Sequence, residues 1–335
     1  MTTTDRPAQT HAAQTSHGAS PGFTDNFAAL TDNVAQAIKG KGTVIHLMAL
    51  AMVADGHVLV EDVPGVGKTS IAKAFANSVD GRFGRVQFTP DLLPTDVTGV
   101  SVWNRSNDAF EFRPGPVFST VLLADEINRA SPKTQSALLE AMAERQVTAD
   151  GVTHRLESPF MVIATQNPIE HEGTYALPEA QLDRFLMRLE IGYPDREAEL
   201  EILHARGGSS EPADHVPAVL SATQIAEMSA SLEQIYLAPA LKSYLLDLAD
   251  ATRRHPALAL GLSPRGVVAL QRVVRAQAAS EGRTYATPDD VKQLVRHVIS
   301  HRLLVTPESR MRGTRPVDVV GEILDALPVP RPSNG

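Results

Sequence analysis

The segment from Leu59 to Ser70 constrains the fold of this chain more than any other stretch of the sequence. An apolar run ends at Glu61, residues 62–69 read DVPGVGKT, and a helical pattern begins at Thr69. The P-loop pattern requires glycine, four residues, glycine, lysine and then serine or threonine, so only Asp62 departs from it. A strand, a glycine loop and a helix in this order predict an α/β domain with a phosphate-binding loop.

The residue types of this loop explain how it would hold phosphates. Gly65 and Gly67 allow the backbone to curl so that its N–H groups point at phosphate oxygens, and the helix N-terminus adds partial positive charge. Lys68 would reach the β- and γ-phosphates, and the Thr69 hydroxyl would bind Mg²⁺. We interpret Asp62 as a tolerated variant outside the innermost turn. The nucleotide-binding residues predicted here are Pro64, Gly65, Val66, Gly67, Lys68, Thr69, Ser70 and, from a later strand, Asp125.

A glycine turn that merely starts a helix is the structural alternative, and the strand before the loop argues against it. A second signal supports the phosphate site, because residues 121–126 read VLLADE, an apolar strand that ends in two carboxylates. Asp125 suits the Mg²⁺ shell, together with Thr69, whereas Glu126 suits polarising the attacking water. The alternative for this pair is an exposed strand end with ordinary charges.

The pattern of apolar runs predicts the fold class. Five short runs read HVLVED, RVQFT, TVLLADE, FMVIATQN and FLMRLEIGYP, and several lack alternation. Such runs are typical of strands buried on both faces of a mostly parallel sheet, and helical patterns at 69–79 and 131–144 supply crossovers. Residues 100–118 and 146–158 predict two β-hairpins, the second with Asp150-Gly151 at its turn.

The character of the chain changes after Pro194. Helical patterns cover residues 195–206, 237–254 and 266–280, residues 207–217 predict a linker, and Thr287 begins a helix through Arg302. We therefore predict a disordered tail over 1–22, an α/β core domain over 23–194, a helical lid domain over 195–327 and a flexible tail over 328–335.

Composition excludes several classes of protein. The 335 residues include no cysteine, which removes disulfides, thiolate metal sites and cysteine nucleophiles. The net charge of −8 disfavours a general nucleic-acid surface. No apolar run reaches the ~18 residues of a membrane span, and the polar N-terminus lacks a signal-peptide pattern, so we expect a cytoplasmic protein.

Five segments in one order carry a resemblance to a known family. They read VQFTPDLLPTDVTG, GPVF, DEINRASPKTQSALLEAMAERQVT, ATQNP and LPEAQLDRFLMRL. Together they resemble the MoxR family of AAA+ ATPases over about residues 27–304. The resemblance implies an AAA+ αβα core with a five-stranded sheet, two hairpin insertions and a small all-α lid. Magnesium chelatase ATPase subunits and minichromosome-maintenance helicases share the two hairpins.

The resemblance also implies roles for polar residues outside the loop. Asn167 matches sensor 1, Arg184 matches an arginine finger offered to a neighbouring subunit, and Arg265 matches sensor 2 on the lid. These residues and Glu126 are the predicted catalytic residues. Arg188 is an alternative finger. The alternatives without a catalytic role are a turn at Asn167, an intrachain salt bridge of Arg184 with a carboxylate such as Asp183, and a surface arginine at 265.

The function implied by the resemblance is ATP hydrolysis with Mg²⁺ in an oligomeric ring, expected to be a hexamer. Family members act as chaperone-like remodellers that mature or insert metal cofactors into client complexes, often with a von Willebrand A-domain partner. This chain has no Asp-x-Ser-x-Ser motif, so such a domain would lie on another protein. Alternatives are a magnesium-chelatase-like subunit and a nucleic-acid motor, whose basic hairpin residues Arg105 and Arg113 are offset here by Asp108 and Glu111. The charge balance therefore argues against nucleic acid as a partner.

Overall fold

The computed structural model describes residues 22–63, 65–106, 108–167, 174–205 and 211–330. Residues 1–21 of the tail predicted over 1–22, Pro64 of the glycine loop and the last five residues of the predicted C-terminal tail lie outside these ranges.

A parallel sheet forms the centre of the α/β part. Its five strands have the order β2-β5-β8-β1-β9, and each of the five predicted apolar runs supplies one of them. In chain order the elements are α1 (Phe23–Ala37), α2 (Gly42–Val53), β1 (Val58–Glu61), α3 (Lys68–Ser78), β2 (Phe83–Gln87), α4 (Pro94–Thr98), β3 (Gly99–Asn104), β4 (Ala109–Pro114), β5 (Val121–Asp125), α5 (Pro132–Glu144), β6 (Gln146–Ala149), β7 (Val152–Arg155), β8 (Met161–Gln166), α6 (Glu179–Leu182) and β9 (Met187–Leu189).

The missing alternation in the strand sequences has a direct cause. Successive residues of a strand point to opposite faces, and both faces of this sheet are covered. Val58 and Val60 belong to one hydrophobic cluster, whereas Leu59 between them belongs to a second cluster on the other face. The central strands can therefore be apolar at every position.

Both predicted hairpins are confirmed. Strands β3 and β4 pair antiparallel, as do β6 and β7. Asp150 and Gly151 connect the second pair with φ angles of 50° and 79°, the two positive values that a type I′ turn requires. The Phe112 ring of the first hairpin stacks on the His154 ring of the second at 3.9 Å, so the two hairpins contact each other.

After β9, the regular structure of residues 190–205 and 211–330 is helical apart from one short pair of strands. Strands β10 and β11 form an antiparallel ribbon, which adds to the all-α lid that the sequence predicts. The elements are α7 (Arg196–Ala205), α8 (Ala222–Ser231), α9 (Pro239–Arg254), β10 (Leu258–Leu260), α10 (Pro264–Ser280), α11 (Pro288–Ile299), β11 (Leu304–Val305), α12 (Pro307–Met311) and α13 (Pro316–Ala326). The domain boundaries stay a prediction.

Helices α1 and α2 connect the sheet to the lid. Helix α1 packs against α3 of the core and α10 of the lid. The His46 ring contacts Gln277 of α10 at 2.8 Å, and Arg272 of α10 donates to the Ala54 carbonyl at 2.6 Å. Residues of the sheet, of these two helices and of the lid consequently share one hydrophobic cluster. None of the helices in the described ranges is both long and apolar enough to cross a membrane.

Candidate active site

The glycine loop has the geometry of a phosphate cradle. Gly65 and Gly67 have φ angles of 85° and 92°, and a Cβ added to either residue would meet no atom within 4 Å. Gly67 is the N-cap of α3, and no side chain of the cap binds the first N–H groups of this helix. Val66 is 9% exposed and fixes the loop to the hydrophobic cluster below. Thr69 and Ser70 stand in the first turn of α3.

Lys68 lies within the electrostatic influence of the acidic pair. Its ammonium group donates to the Asp62 carbonyl at 2.8 Å. Burial lowers the Lys68 pKa, while the carboxylates of Asp125, Asp62 and Glu126 oppose that change by favouring the charged form. The structure thus brings together the lysine and the two carboxylates that the sequence singles out.

A buried threonine holds both members of the acidic pair. Thr165 of β8 donates from its hydroxyl to Asp125 Oδ1 at 2.7 Å and accepts from the Glu126 N–H at 2.8 Å. Glu126 has a left-handed backbone with φ 55° and ψ 50°, a conformation that costs a non-glycine residue free energy. The hydroxyl of Thr165 therefore stabilises a strained residue at the point where catalysis is predicted.

Three further side chains bind the outer oxygens of the pair. Arg85 forms an ion pair with Asp125 Oδ2 at 2.9 Å. Glu126 Oε2 accepts from Gln87 Nε2 at 2.9 Å and from Arg129 Nη1 at 2.8 Å. Sequence reasoning missed Arg85 and Gln87. Arg85 and Gln87 are two residues apart in β2, the neighbour of β5, so their side chains lie on the same face of the sheet. This spacing is the sequence feature that could have indicated them.

Asn167 follows the strand that lies between the loop and the acidic pair. Strand β8 pairs with β1 on one side and β5 on the other, and Glu61 and Gln166 are register partners. The Asp62 N–H donates to the Gln166 carbonyl at 3.1 Å. This position next to the glycine loop is compatible with the predicted sensor role, which stays a prediction.

Asp62 does more than occupy the place of a glycine. Its side chain is buried, and Oδ2 accepts from the N–H groups of Ile191 at 2.7 Å and Gly192 at 2.5 Å. On the other side of the same segment, Lys41 Nζ donates to the Ile191 carbonyl at 2.8 Å. The description of Asp62 as a merely tolerated variant was incomplete, because its carboxylate ties the glycine loop to the connection between β9 and α7.

Arg184 lies at the opposite edge of the sheet from the glycine loop. Arg184 precedes β9, whose Met187 is the register partner of Val58 at the start of β1. Strand β1 ends at Glu61, three residues beyond Val58, and Lys68 follows that end. The length of β1, about 10 Å, therefore separates the level of Arg184 from the level of Lys68. The parallel arrangement keeps Arg184 away from the phosphate loop of its own chain.

The surroundings of Arg184 do not support the intrachain salt bridge. Within the described residues Arg184 makes no ion pair, and its guanidinium donates to the Leu139 carbonyl of α5. Arg184 lines a cavity of about 470 Å³ beside Glu140 and Glu144. The alternative finger, Arg188, lies within the sheet and forms an ion pair with Glu61 at 3.3 Å.

Arg265 lies at the same edge as Arg184. It is exposed in the first turn of α10. Burial is the largest cause that lowers the pKa values of His57 and Arg302, and the positive charge of Arg265 also lowers both. Because His57 stands at the amino end of β1, the structure does not bring Arg265 to the glycine loop of its own chain. A sensor role for Arg265 remains a prediction and would require the nucleotide of another subunit.

The residues present fit Mg²⁺ shared with a nucleotide. The described part of the chain contains no group of three or more histidine or acidic residues that could hold a metal by itself. Mg²⁺ commonly uses one or two protein ligands together with phosphate oxygens, and Thr69 and Asp125 could supply those ligands beside the loop.

Comparisons with known proteins agree with this architecture. The model of the ATPase family associated with various cellular activities (AAA) matches residues 57–187, and the AAA lid domain matches residues 250–323. The uncharacterized protein YeaC of Bacillus subtilis is 46% identical over 89% of this chain and 93% of its own length. Chaperone MoxR1 of Mycobacterium tuberculosis is 38% identical over 96% of this chain and 89% of its own length. A crystal structure from Cytophaga hutchinsonii superposes with a TM-score of 0.87 and 35% identity, covering 92% of this chain and 96% of the other.

Proposed function

Because this chain belongs to the MoxR family of AAA+ ATPases, we propose that it binds ATP with Mg²⁺ at the carboxyl edge of its sheet and hydrolyses it to ADP and phosphate. One observation carries the proposal. The glycine loop, Lys68 and the Asp125–Glu126 pair lie together at this edge, and no side chain caps the helix that follows the loop.

Binding follows from the chemistry of the loop. The open N–H groups around Gly65 and Gly67 donate to phosphate oxygens, and Lys68 leaves the Asp62 carbonyl to donate to the β- and γ-phosphates. Thr69 and Asp125 would hold Mg²⁺, which would neutralise charge on the phosphate oxygens when bound.

Hydrolysis needs a base, and Glu126 is placed for that work. Its carboxylate accepts a proton from the attacking water, while the amide of Asn167 orients the same water. Gln87 and Arg129 both donate to Glu126 Oε2 in this structure, and these two bonds hold the carboxylate in place.

Completion of the site requires a second subunit. Arg184 and Arg265 lie at the edge away from the glycine loop of their own chain, and an arginine from a neighbour stabilises charge on the transferred phosphoryl group. A closed ring gives every glycine loop such a neighbour, and six subunits is the number proposed from the family.

The work proposed for the ring is chaperone-like remodelling of a client protein. The name of Chaperone MoxR1 supports this activity. The exposed pair Trp103 and Phe110 on the first hairpin, 46% and 72% exposed, offers apolar surface for a client. A von Willebrand A-domain partner on another chain and metal-cofactor insertion into the client are finer parts of the same proposal.

Subunit mixing tests the composite site. The Lys68→Ala variant should lose nucleotide affinity, and Arg184→Ala should keep it but lose about 10³-fold or more in turnover. Mixed rings contain interfaces with an intact loop from one variant and an intact Arg184 from the other, so ATPase activity should return in part. The surface variant Arg254→Ala should keep full activity alone, as the control. Absence of rescue in mixtures shown to co-assemble would count against a trans-acting Arg184.

A further inference from the structure

The lid holds the backbone on both sides of Arg184 through one buried arginine. Arg302, between α11 and β11, is 5% exposed. Its Nε donates to Asp183 Oδ1 at 2.7 Å, Nη2 donates to the Phe185 carbonyl at 2.7 Å, and Nη1 donates to the Leu186 carbonyl at 3.2 Å. Further bonds reach the carbonyls of Asp183 at 3.4 Å and of Val298. All five N–H donors of the guanidinium are thereby used.

The second oxygen of Asp183 binds the helix that carries Arg265. Ser263 Oγ donates to Asp183 Oδ2 at 3.0 Å. The same hydroxyl caps α10 by accepting the Gly266 N–H at 3.0 Å, and Arg265 lies in the turn that this cap begins. One carboxylate therefore joins the segment of Arg184 to the first turn of α10.

A histidine of the lid strengthens this contact. His301 Nε2 donates to the Phe185 carbonyl at 3.0 Å, and burial keeps its pKa well below the usual range, so the ring is neutral. The Phe185 carbonyl accordingly receives one bond from His301 and one from Arg302. Residues 183, 185 and 186 are therefore bound to the lid, whereas the side chain of Arg184 between them donates to the Leu139 carbonyl of α5.

We propose that Asp183 and Arg302 are positioning residues that hold Arg184 and Arg265 as one rigid unit for the nucleotide of the neighbouring subunit. The inference rests on the proposed trans-acting function of these arginines. A buried ion pair gives little net stability once its desolvation is counted, so its use here is to fix geometry. Neither residue needs to touch the nucleotide, and a movement of the lid would move both arginines together.

The test uses Asp183→Asn, which keeps the size of the side chain and removes its charge. Assembled rings of this variant should bind ATP with unchanged affinity and turn it over about 10–100-fold more slowly, because a misplaced transition-state contact lowers kcat. The same loss is expected from Arg302→Lys, which keeps the charge but cannot reach all four carbonyls that Arg302 binds. Asp290→Asn is the matched control, since Asp290 forms a buried pair with Arg283 at 2.6 Å elsewhere in the lid. It should lose stability and keep its kcat.

Mixing separates positioning from a general defect of the lid. Asp183→Asn subunits have an intact glycine loop, so mixing with Lys68→Ala should restore turnover at interfaces where the latter supplies Arg184. Mixing with Arg184→Ala should restore nothing, because both variants fail in the same role. Unchanged kcat in both the Asp183 and Arg302 variants, or rescue by Arg184→Ala, overturns the inference. If the reference mixture of Arg184→Ala with Lys68→Ala shows no rescue, the trans-acting function itself fails and this inference fails with it.

Discussion

Glu126 has a strained backbone that one neighbour holds and a carboxylate that two others hold. Thr165 accepts the N–H of this residue, and Gln87 and Arg129 bind its outer oxygen. A positive φ at a residue with a side chain persists only where the surroundings stabilise it. The carboxylate held in this way is close enough to Lys68 for its charge to raise the pKa of that lysine, against the effect of burial.

Thr165→Val tests this arrangement at a single hydroxyl. Valine has nearly the same shape but cannot bind Asp125 or the Glu126 N–H, so kcat should fall about 10-fold or more, with nucleotide affinity unchanged. The loss of two hydrogen bonds should also lower the free energy of unfolding by about 1–3 kcal/mol. Steady-state ATPase assays and urea denaturation give the two values. Thr153→Val on the exposed second hairpin is the control, and equal kcat in the two variants would argue against the role of Thr165.

The sequence points to individual site residues where the pattern that defines them is local. Lys68, Asp125 and Glu126 are recognisable because the loop and the strand end that define them are continuous in the chain. Thr165 was missed because it stands inside an apolar strand and binds residues 39 and 40 positions earlier. The partners of Asp62, at residues 191 and 192, are likewise far away in sequence.

Strand β1 is held differently at its two ends. At the amino end, His57 Nδ1 accepts the Val162 N–H of β8 at 3.0 Å, and Nε2 contacts the Met142 carbonyl of α5 at 3.3 Å. Burial and then the charge of Arg145 lower the His57 pKa from 6.5 to about 3. The imidazole is thus neutral when it joins β1, β8 and α5.

Stability should depend on pH through His57. Its pKa is lower in the folded than in the unfolded state, so the stabilisation is complete above about pH 6.5 and is lost as the pH falls towards 3. Between pH 6.5 and 4.5 the wild type should lose about 2 kcal/mol more than His57→Gln, whose amide does not titrate. Urea denaturation at several pH values measures the difference. Parallel pH profiles of the two proteins would contradict the assignment.

At the carboxyl end of β1, Asp62 connects the glycine loop to the segment before α7. Asp62→Gly restores the usual P-loop residue but removes a charged acceptor from two backbone N–H groups, so it should lower the free energy of unfolding by about 2–4 kcal/mol. Asp62→Asn can still accept one of these bonds. Its free energy of unfolding, measured by urea denaturation, should lie between those of the wild type and Asp62→Gly. A glycine variant as stable as the wild type would show that this contact is not needed.

Helices show where sequence patterns fail. The crossover helices α3 and α5 were predicted within one or two residues of their observed ends, because a glycine loop or a Ser-Pro start precedes them. Helix α2 was not predicted. Nine of its 12 residues are buried, since it packs between α1, α8 and α10, and a helix buried on all sides lacks the polar face that reveals the 3.6-residue period.

On the scale of the whole molecule, the two edges of the sheet carry the two sets of residues that the proposed site between subunits would combine. The glycine loop, Lys68 and the acidic pair occupy the carboxyl edge, and Arg184 and Arg265 occupy the amino edge with the lid. The sequence identified both arginines only through the family resemblance, and it could not show that the lid presents them together. That relation depends on Asp183, Ser263 and Arg302, which are up to 119 residues apart.

Phosphate release by the purified protein, measured with Mg²⁺ over a range of ATP and protein concentrations beside Glu126→Gln, tests the central claim most directly. Both proteins should bind ATP equally, and only the wild type should release phosphate, at a rate per subunit that rises as the protein assembles. Release that is equal in the two proteins, or absent from the wild type at every concentration, would contradict the account.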